Sequence, residues 1–457
     1  MSKKTRLPVV LQRRHSDEFE PAPYTSRDRE GLSRVLGRGP RDAQRLGLSL
    51  GSYWAGRRGT AAGLRAIDAG FDEKFFVVPE AAALELEAAK ETFDGDEVVI
   101  DVQTHFIADR PETRATAGHI HQMYTDLAPR WWKHLGDARQ YDFAEYLRCV
   151  FLESETAAAI LTSGPGTGPE RMLFNEEMAS TRELLDDLAG EGRLLNHSII
   201  HANHQSEIEA MEDELERHRP VGWKCYTIGS RSDEVRGWWL DDERTGVPFV
   251  EKAVELGVPL ICAHKGISAL VDNGSPRDVG PIAKAFPHVD FLIYHSGWEI
   301  PTSDAAEEGP YTDGTADRGV NRLLHTLRTS GVGAGKNVYA ELGSTWFGLI
   351  RRPDEAAHVL GKLLLEVGED NVLWGTDSIW YGPSQVAIDA FRAFQIPVSY
   401  QQEFGYPELT AERKAKIFGV NAARVYGIDL ERARRRAASD DLAWVKQALK
   451  ERGVSDE

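Results

Sequence analysis

Val258-Pro259-Leu260-Ile261-Cys262-Ala263-His264 and Val289-Asp290-Phe291-Leu292-Ile293-Tyr294-His295 decide how the chain folds. Each is a short apolar run that ends in a histidine. Outward from this pair, similar runs recur at Val98–Val102, Ala157–Leu161, Leu195–Ile200, Val221–Tyr226, Asn337–Leu342 and Asn371–Gly375, eight in all. Short β-branched or apolar runs that alternate with helical stretches mark βα units around a parallel sheet. The later runs recur every ~30–45 residues, about one strand-loop-helix-loop unit, and the total suits a barrel of roughly 250 residues or more. The expectation is an α/β fold, a (β/α)8 TIM barrel. A doubly wound open sheet would use the same alternation.

The barrel is expected over residues 96–428, after an N-terminal extension (1–95) and before a C-terminal helical tail (429–457). Within the extension, Pro79–Thr92 reads as a helix, and the whole arm is expected to wrap the barrel or mediate oligomer contacts. The long connection from Phe106 to Thr156 carries helical matter and the pair Trp131-Trp132. The tail reads as one amphipathic helix with Leu442, Val445 and Leu449 on one side.

Of the 457 residues 41% are hydrophobic and 28% charged, ordinary for a globular protein with a real core. The net charge of -18 argues against broad nucleic-acid or anionic-membrane binding, because both need a positive surface. Cys149, Cys225 and Cys262 lie far apart, so neither a disulfide framework nor a thiolate zinc cluster is expected. No run approaches the roughly 18 apolar residues that cross a bilayer. Arg57-Arg58, ahead of small apolar residues, has some twin-arginine character, but Arg65 and Asp68 interrupt the apolar stretch. The expectation is a cytoplasmic homo-oligomer acting on a small molecule.

The runs place polar residues where chemistry would need them. His105 closes the first, Lys224 lies in the fourth, His264 closes the fifth and His295 the sixth. Glu341 lies in the seventh and Asp377 follows the eighth. Parallel barrel strands deliver their C-terminal ends to one face, so these residues become neighbours there. Imidazoles and carboxylates on one rim, with a position open for water, suit a divalent transition metal: zinc first, iron or manganese otherwise. Asp377 in Gly-Thr-Asp-Ser has a plainer reading as a helix N-cap.

These residues carry a resemblance. Asp101-Val102-Gln103-Thr104-His105 resembles the D-x-H-x-H opening of the amidohydrolase superfamily, in the amidohydrolase-2 branch typified by the carboxymuconate-semialdehyde and resorcylate decarboxylases. His264, His295 and Asp377 resemble that branch's later ligands, and Asn421-Ala422-Ala423-Arg424 resembles its closing N-A-x-R. The resemblance implies a (β/α)8 barrel with one or two divalent metals. Gln103 departs from it by standing where the first histidine belongs. Residues 103 and 105 share a strand face, so Gln103 is expected to bind the metal weakly, bind it through water, or hydrogen-bond the substrate.

In some relatives a carboxylated lysine on the fourth strand bridges two metals, a role open to Lys224. The plainer reading pairs it with Asp377, Glu341 or a substrate carboxylate. Asp377 is the expected general base, and Glu341 a second acid or ligand. His201 and His204 read as surface loop histidines, and His119 and His121 rank lower still. Trp298, Trp346 and Trp380 are placed to give an aromatic mouth for a hydrophobic or planar substrate, or to pack loops. The favoured activity is hydrolysis of an amide, ester or lactone by metal-activated water. The alternatives are a decarboxylase or iron-dependent oxygenase of the same fold, or a metal-free binding protein.

Overall fold

The computed structural model describes residues 7–14, 16, 23–113, 141–229, 237–266, 272–299 and 308–451. His119, His121, Trp131 and Trp132 lie outside the described residues. The strands are β1 (Val99–Thr104), β2 (Thr156–Leu161), β3 (Leu194–Asn196), β4 (Ser198–Ile199), β5 (Trp223–Tyr226), β6 (Leu260–His264), β7 (Asp290–Tyr294), β8 (Val338–Glu341) and β9 (Val372–Leu373). All pair in parallel, as β1-β2-β3 and as β4-β5-β6-β7-β8-β9.

The expected single ring is therefore two sheets, and backbone bonds cross both gaps. At the first gap the chain runs on from β3 to β4: His197 N donates to Leu161 O of β2 at 3.0 Å, while Val221 N, just ahead of β5, donates to Asn196 O of β3 at 2.9 Å. Between the last strand and the first, Val102 N reaches Trp374 O, Asp377 N reaches Gln103 O, and His105 N reaches Ser378 O, at 3.1, 3.0 and 2.7 Å. The third run divides at His197 because its start pairs with β2 and its end with β5. Tilted, staggered strands produce this kind of offset.

Burial on both faces explains the apolar runs. Alternate residues Ile100, Ile160, Leu260, Cys262, Leu292, Tyr339 and Leu373 meet in one cluster, while Val99, Trp223, Ile261, Phe291, Val338 and Val372 pack in another with the helices. The N-terminal segment joins the second: Val10, Leu11, Tyr53 and Trp54 share it with Trp374 and Phe418. Buried Arg351 also meets buried Asp28 at 2.9 Å. The Arg57-Arg58 stretch opens a helix, Arg57–Asp68, whose first residue meets Asp389 at 3.3 Å and Glu155 at 2.6 Å.

Two expected helices are broken. The 79–92 region is a 3-10 turn (Glu80–Ala83) and a helix (Leu86–Phe93), parted where Glu85 adopts an extended backbone. The tail is two helices, Leu430–Ser439 and Asp441–Glu451. Asp440 between them is extended, accepts from Ala443 N at 2.7 Å and pairs with buried Arg193 at 2.8 Å. Among the described residues no helix is long and apolar enough to cross a membrane.

Candidate active site

The strand ends carry the polar residues, and the backbone bends to present them. Five described non-glycine residues have positive φ, and four lie here: His295 (63°), Ser296 (55°), Ser344 (55°) and Asp377 (57°). Such left-handed residues cost energy and persist where the surroundings over-determine them, often at functional sites. At the end of β7 the device turns His295 into the site directly after buried Tyr294. On β1 the pairing register shifts between Asp101 and Thr104, next to Gln103 and His105.

Gln103, His105, Lys224, His264, His295, Glu341 and Asp377 are all buried. His105 Nε2 lies 2.9 Å from Asp377 Oδ1, and Gln103 Nε2 donates to the same oxygen at 2.8 Å. Gln103 Nε2 is also 3.4 Å from His295 Nε2. The His264 ring stands edge-on to His295 with centroids 4.8 Å apart, and stacks on Tyr226 at 4.9 Å. Ser344 Oγ donates to Asp377 Oδ2 and lies 2.6 Å from Tyr381 Oη. Asp377 is thus no helix cap. Its carboxylate is the hub of the group.

Glu341 accepts from the backbone N–H of His295 at 3.0 Å and from that of Gly343. Two glycines make room for it: a Cβ on Gly343 would stand 2.5 Å from Glu341 Oε1, and one on Gly375 1.8 Å from it. Lys224 places its ammonium over the Tyr294 ring at 3.4 Å and the Tyr226 ring at 4.7 Å.

Electrostatics separates the two carboxyl groups. Burial pushes Glu341 up to about 8, against the N–H bond from His295. Burial pushes Asp377 up as well, but contact with His105, the charge of His295 and the Ser344 hydroxyl outweigh it and hold it below the ordinary carboxylate value. Burial lowers His295 to about 4 and takes His264 well below the usual imidazole value.

The donor chemistry fits a divalent metal. His295 Nδ1 lies 2.7 Å from the Gly343 carbonyl, which fixes the proton there and leaves the Nε2 lone pair facing inward. His105 Nε2 accepts from Trp380 Nε1 at 3.0 Å while touching Asp377 Oδ1. One ring nitrogen cannot both accept from the indole and donate to the carboxylate, so the indole bond sets the Nε2 lone pair close to the Asp377 oxygen. Among the described residues no three His, Cys, Asp or Glu side chains converge closely enough to hold an ion by themselves. The Gln103 amide stands between the His105–Asp377 pair and His295.

Other sequence readings change here. His201 is not a surface residue: it is buried, with Nδ1 2.9 Å from Arg171 Nη2 and 3.3 Å from Glu207 Oε2. His197 is buried too, 3.3 Å from Tyr294 Oη and 3.2 Å from Tyr426 Oη. Trp380 does reach the site, and Tyr141 packs on it at 5.0 Å. Trp346 instead packs on Phe391 and Phe394, and Trp298 lies against Gly348. Ser344 and the indole bond of Trp380 escaped sequence reading. Gly343-Ser344, just after Glu341, was the available signal. A small cavity beside the group is lined by Val9, Ser344, Phe347, Thr376, Tyr381 and Gly382, so the N-terminal segment reaches this neighbourhood.

The model of a family described as Amidohydrolase matches residues 100–428. No curated protein matches the chain. Among solved structures, an uncharacterized TIM-barrel protein from Bordetella bronchiseptica is similar at 16% identity and TM-score 0.47, over 75% of this chain and 99% of that one. The 2,6-dihydroxybenzoate decarboxylase from Rhizobium is similar at 15% identity and TM-score 0.42, over 73% and 99%. An amidohydrolase from Mycobacterium avium subsp. paratuberculosis is similar at 16% identity and TM-score 0.40, over 74% and 100%.

Proposed function

Since the chain belongs to the Amidohydrolase family through residues 100–428, we propose that it is a metal-dependent hydrolase of amides, esters or lactones. The observation that carries this reading is the buried contact of His105, Gln103 and Asp377, brought from the two ends of the strand series to within 2.9 Å. We take the strands as one closed (β/α)8 barrel over residues 96–428, with 194–199 as a single strand. The backbone bonds across both gaps support this. Residues 1–95 are then an extension and 429–457 a tail.

His105, His264, His295 and Asp377 would hold the ion, with Gln103 beside them. When bound, a divalent ion such as zinc, iron or manganese supplies Lewis acidity toward a carbonyl and acidifies water. Asp377, kept ionised, takes the proton of the attacking water and returns it to the leaving group. Ser344 holds its second oxygen and so aims the first. Glu341, protonated near neutral pH, is the second acid. Burial of the group excludes bulk water and strengthens each charge interaction.

The test loads the purified protein with zinc, iron or manganese and offers aryl esters, lactones, anilides and dihydroxybenzoates. Cleavage that falls by ~10²–10⁴ in Asp377→Asn is the expected result. Carbon dioxide release without cleavage would replace the hydrolase with a decarboxylase, and oxygen uptake would replace it with an oxygenase.

A further inference from the structure

The carboxamide of Gln103 is fully buried, and its two ends keep different company. Nε2 donates to Asp377 Oδ1 and faces the inward lone pair of His295 Nε2. Oε1 makes no hydrogen bond among the described residues. It sits on the side of Glu341: a Cβ built on Gly343 would stand 2.3 Å from Gln103 Oε1 and 2.5 Å from Glu341 Oε1. The amide N–H groups therefore neutralise acceptors that a cation would otherwise neutralise, while the amide oxygen stands on the Glu341 side without a hydrogen bond among the described residues.

The two ends of a carboxamide are nearly equal in size, and the torsion that exchanges them is soft. A half turn would point Oε1 at the side shared by Asp377 Oδ1 and His295 Nε2, and Nε2 at Glu341. With no cation, that arrangement sets acceptor against acceptor. With one, it adds a ligand and gives the amide N–H groups a carboxyl partner. A histidine here could not do this. Its ring would present a lone pair inward or a single N–H, never an amine-like pair of donors.

We propose that Gln103 is a two-position ligand: nitrogen inward, it closes the metal-free site; oxygen inward, it adds a neutral oxygen to the bound ion. The proposal rests on the metal-centre reading above. A neutral carbonyl oxygen favours harder ions, whereas imidazole favours zinc. The chain is thereby biased toward manganese relative to a histidine at the same position.

The experiment titrates chelator-stripped wild type, Gln103→His and Gln103→Glu with Zn2+ and with Mn2+ by calorimetry, and melts each protein without metal. Gln103→His is expected to tighten Zn2+ by ~10-fold or more, a typical effect of changing a metal's surroundings, and to leave Mn2+ within ~3-fold. Metal-free Gln103→Glu sets a third carboxyl beside Asp377 and Glu341, so it is expected to melt below wild type and to recover when Mn2+ is added. Equal Zn2+ and Mn2+ constants in wild type and Gln103→His would overturn the ligand role. A metal-free Gln103→Glu as stable as wild type would overturn the closing role. If wild type and both variants bind neither ion, the metal centre itself fails and this proposal fails with it. Tight binding that is indifferent to residue 103 sinks the proposal alone.

Discussion

Gly375→Ala is a single-methyl probe of the site. Its Cβ would lie 1.8 Å from Glu341 Oε1, 2.8 Å from the carboxyl carbon and 3.2 Å from Gln103 Cβ. Real contacts are not that short, so Glu341 must swing away in a region without spare room. Forcing a methyl into a packed site costs about 1–3 kcal/mol. The swing also strips the carboxylate from the N–H groups of His295 and Gly343, at about 1–3 kcal/mol for each buried donor left unpaired. The expected loss in urea denaturation is about 3–9 kcal/mol. Gly37→Ala is the control: it lies in the helix Ser26–Arg45 with nothing within 4 Å of its Cβ, and should gain about 0.5–1 kcal/mol. In a Glu341→Ala background the cost of Gly375→Ala should shrink to ~1 kcal/mol, because neighbours in contact are not additive. An equal cost in both backgrounds would refute the argument that Glu341 is what Gly375 accommodates.

Trp380→Phe removes the indole donor to His105 Nε2, and should cost about 1 kcal/mol in denaturant titration. For Glu207, burial pushes the carboxyl up, but the His201 hydrogen bond and the Arg171 charge outweigh it and bring it from 4.5 to about 2. A depressed folded value means that the stabilisation is complete above the unfolded value and fades as pH falls toward 2. At ~1.4 kcal/mol per pH unit it amounts to roughly 3 kcal/mol. Acid unfolding curves should therefore show wild type losing its advantage over Glu207→Gln between pH 5 and 2 (~3 kcal/mol). A difference independent of pH would contradict the ion-pair account.

The convergence of His105, Gln103, His295 and Asp377 was legible because parallel strands share a rim, and closing residues of separate runs must then meet. The local geometry was not. Pattern reading has no sign of a histidine or serine in the left-handed region, so the pivots at His295, Ser296 and Ser344 were invisible. His201 looked exposed because it follows a strand in a polar stretch, yet Glu207 on the next helix returns to pair with it and buries it. The tail was read as one helix, but the apolar positions behind that reading, Leu442, Val445 and Leu449, all follow Asp440, whose carboxylate caps the second helix. For Trp298 and Trp346 the sequence left an aromatic mouth and packing both open, and in the structure both are buried in the core.

The most direct test is elemental: mass spectrometry of protein purified without chelator, for wild type and for His264→Ala. Wild type should carry at least one divalent transition-metal ion per chain, and His264→Ala, if it remains folded by circular dichroism, should carry much less. Wild-type protein that is free of metal and takes up neither zinc, iron nor manganese would contradict the account.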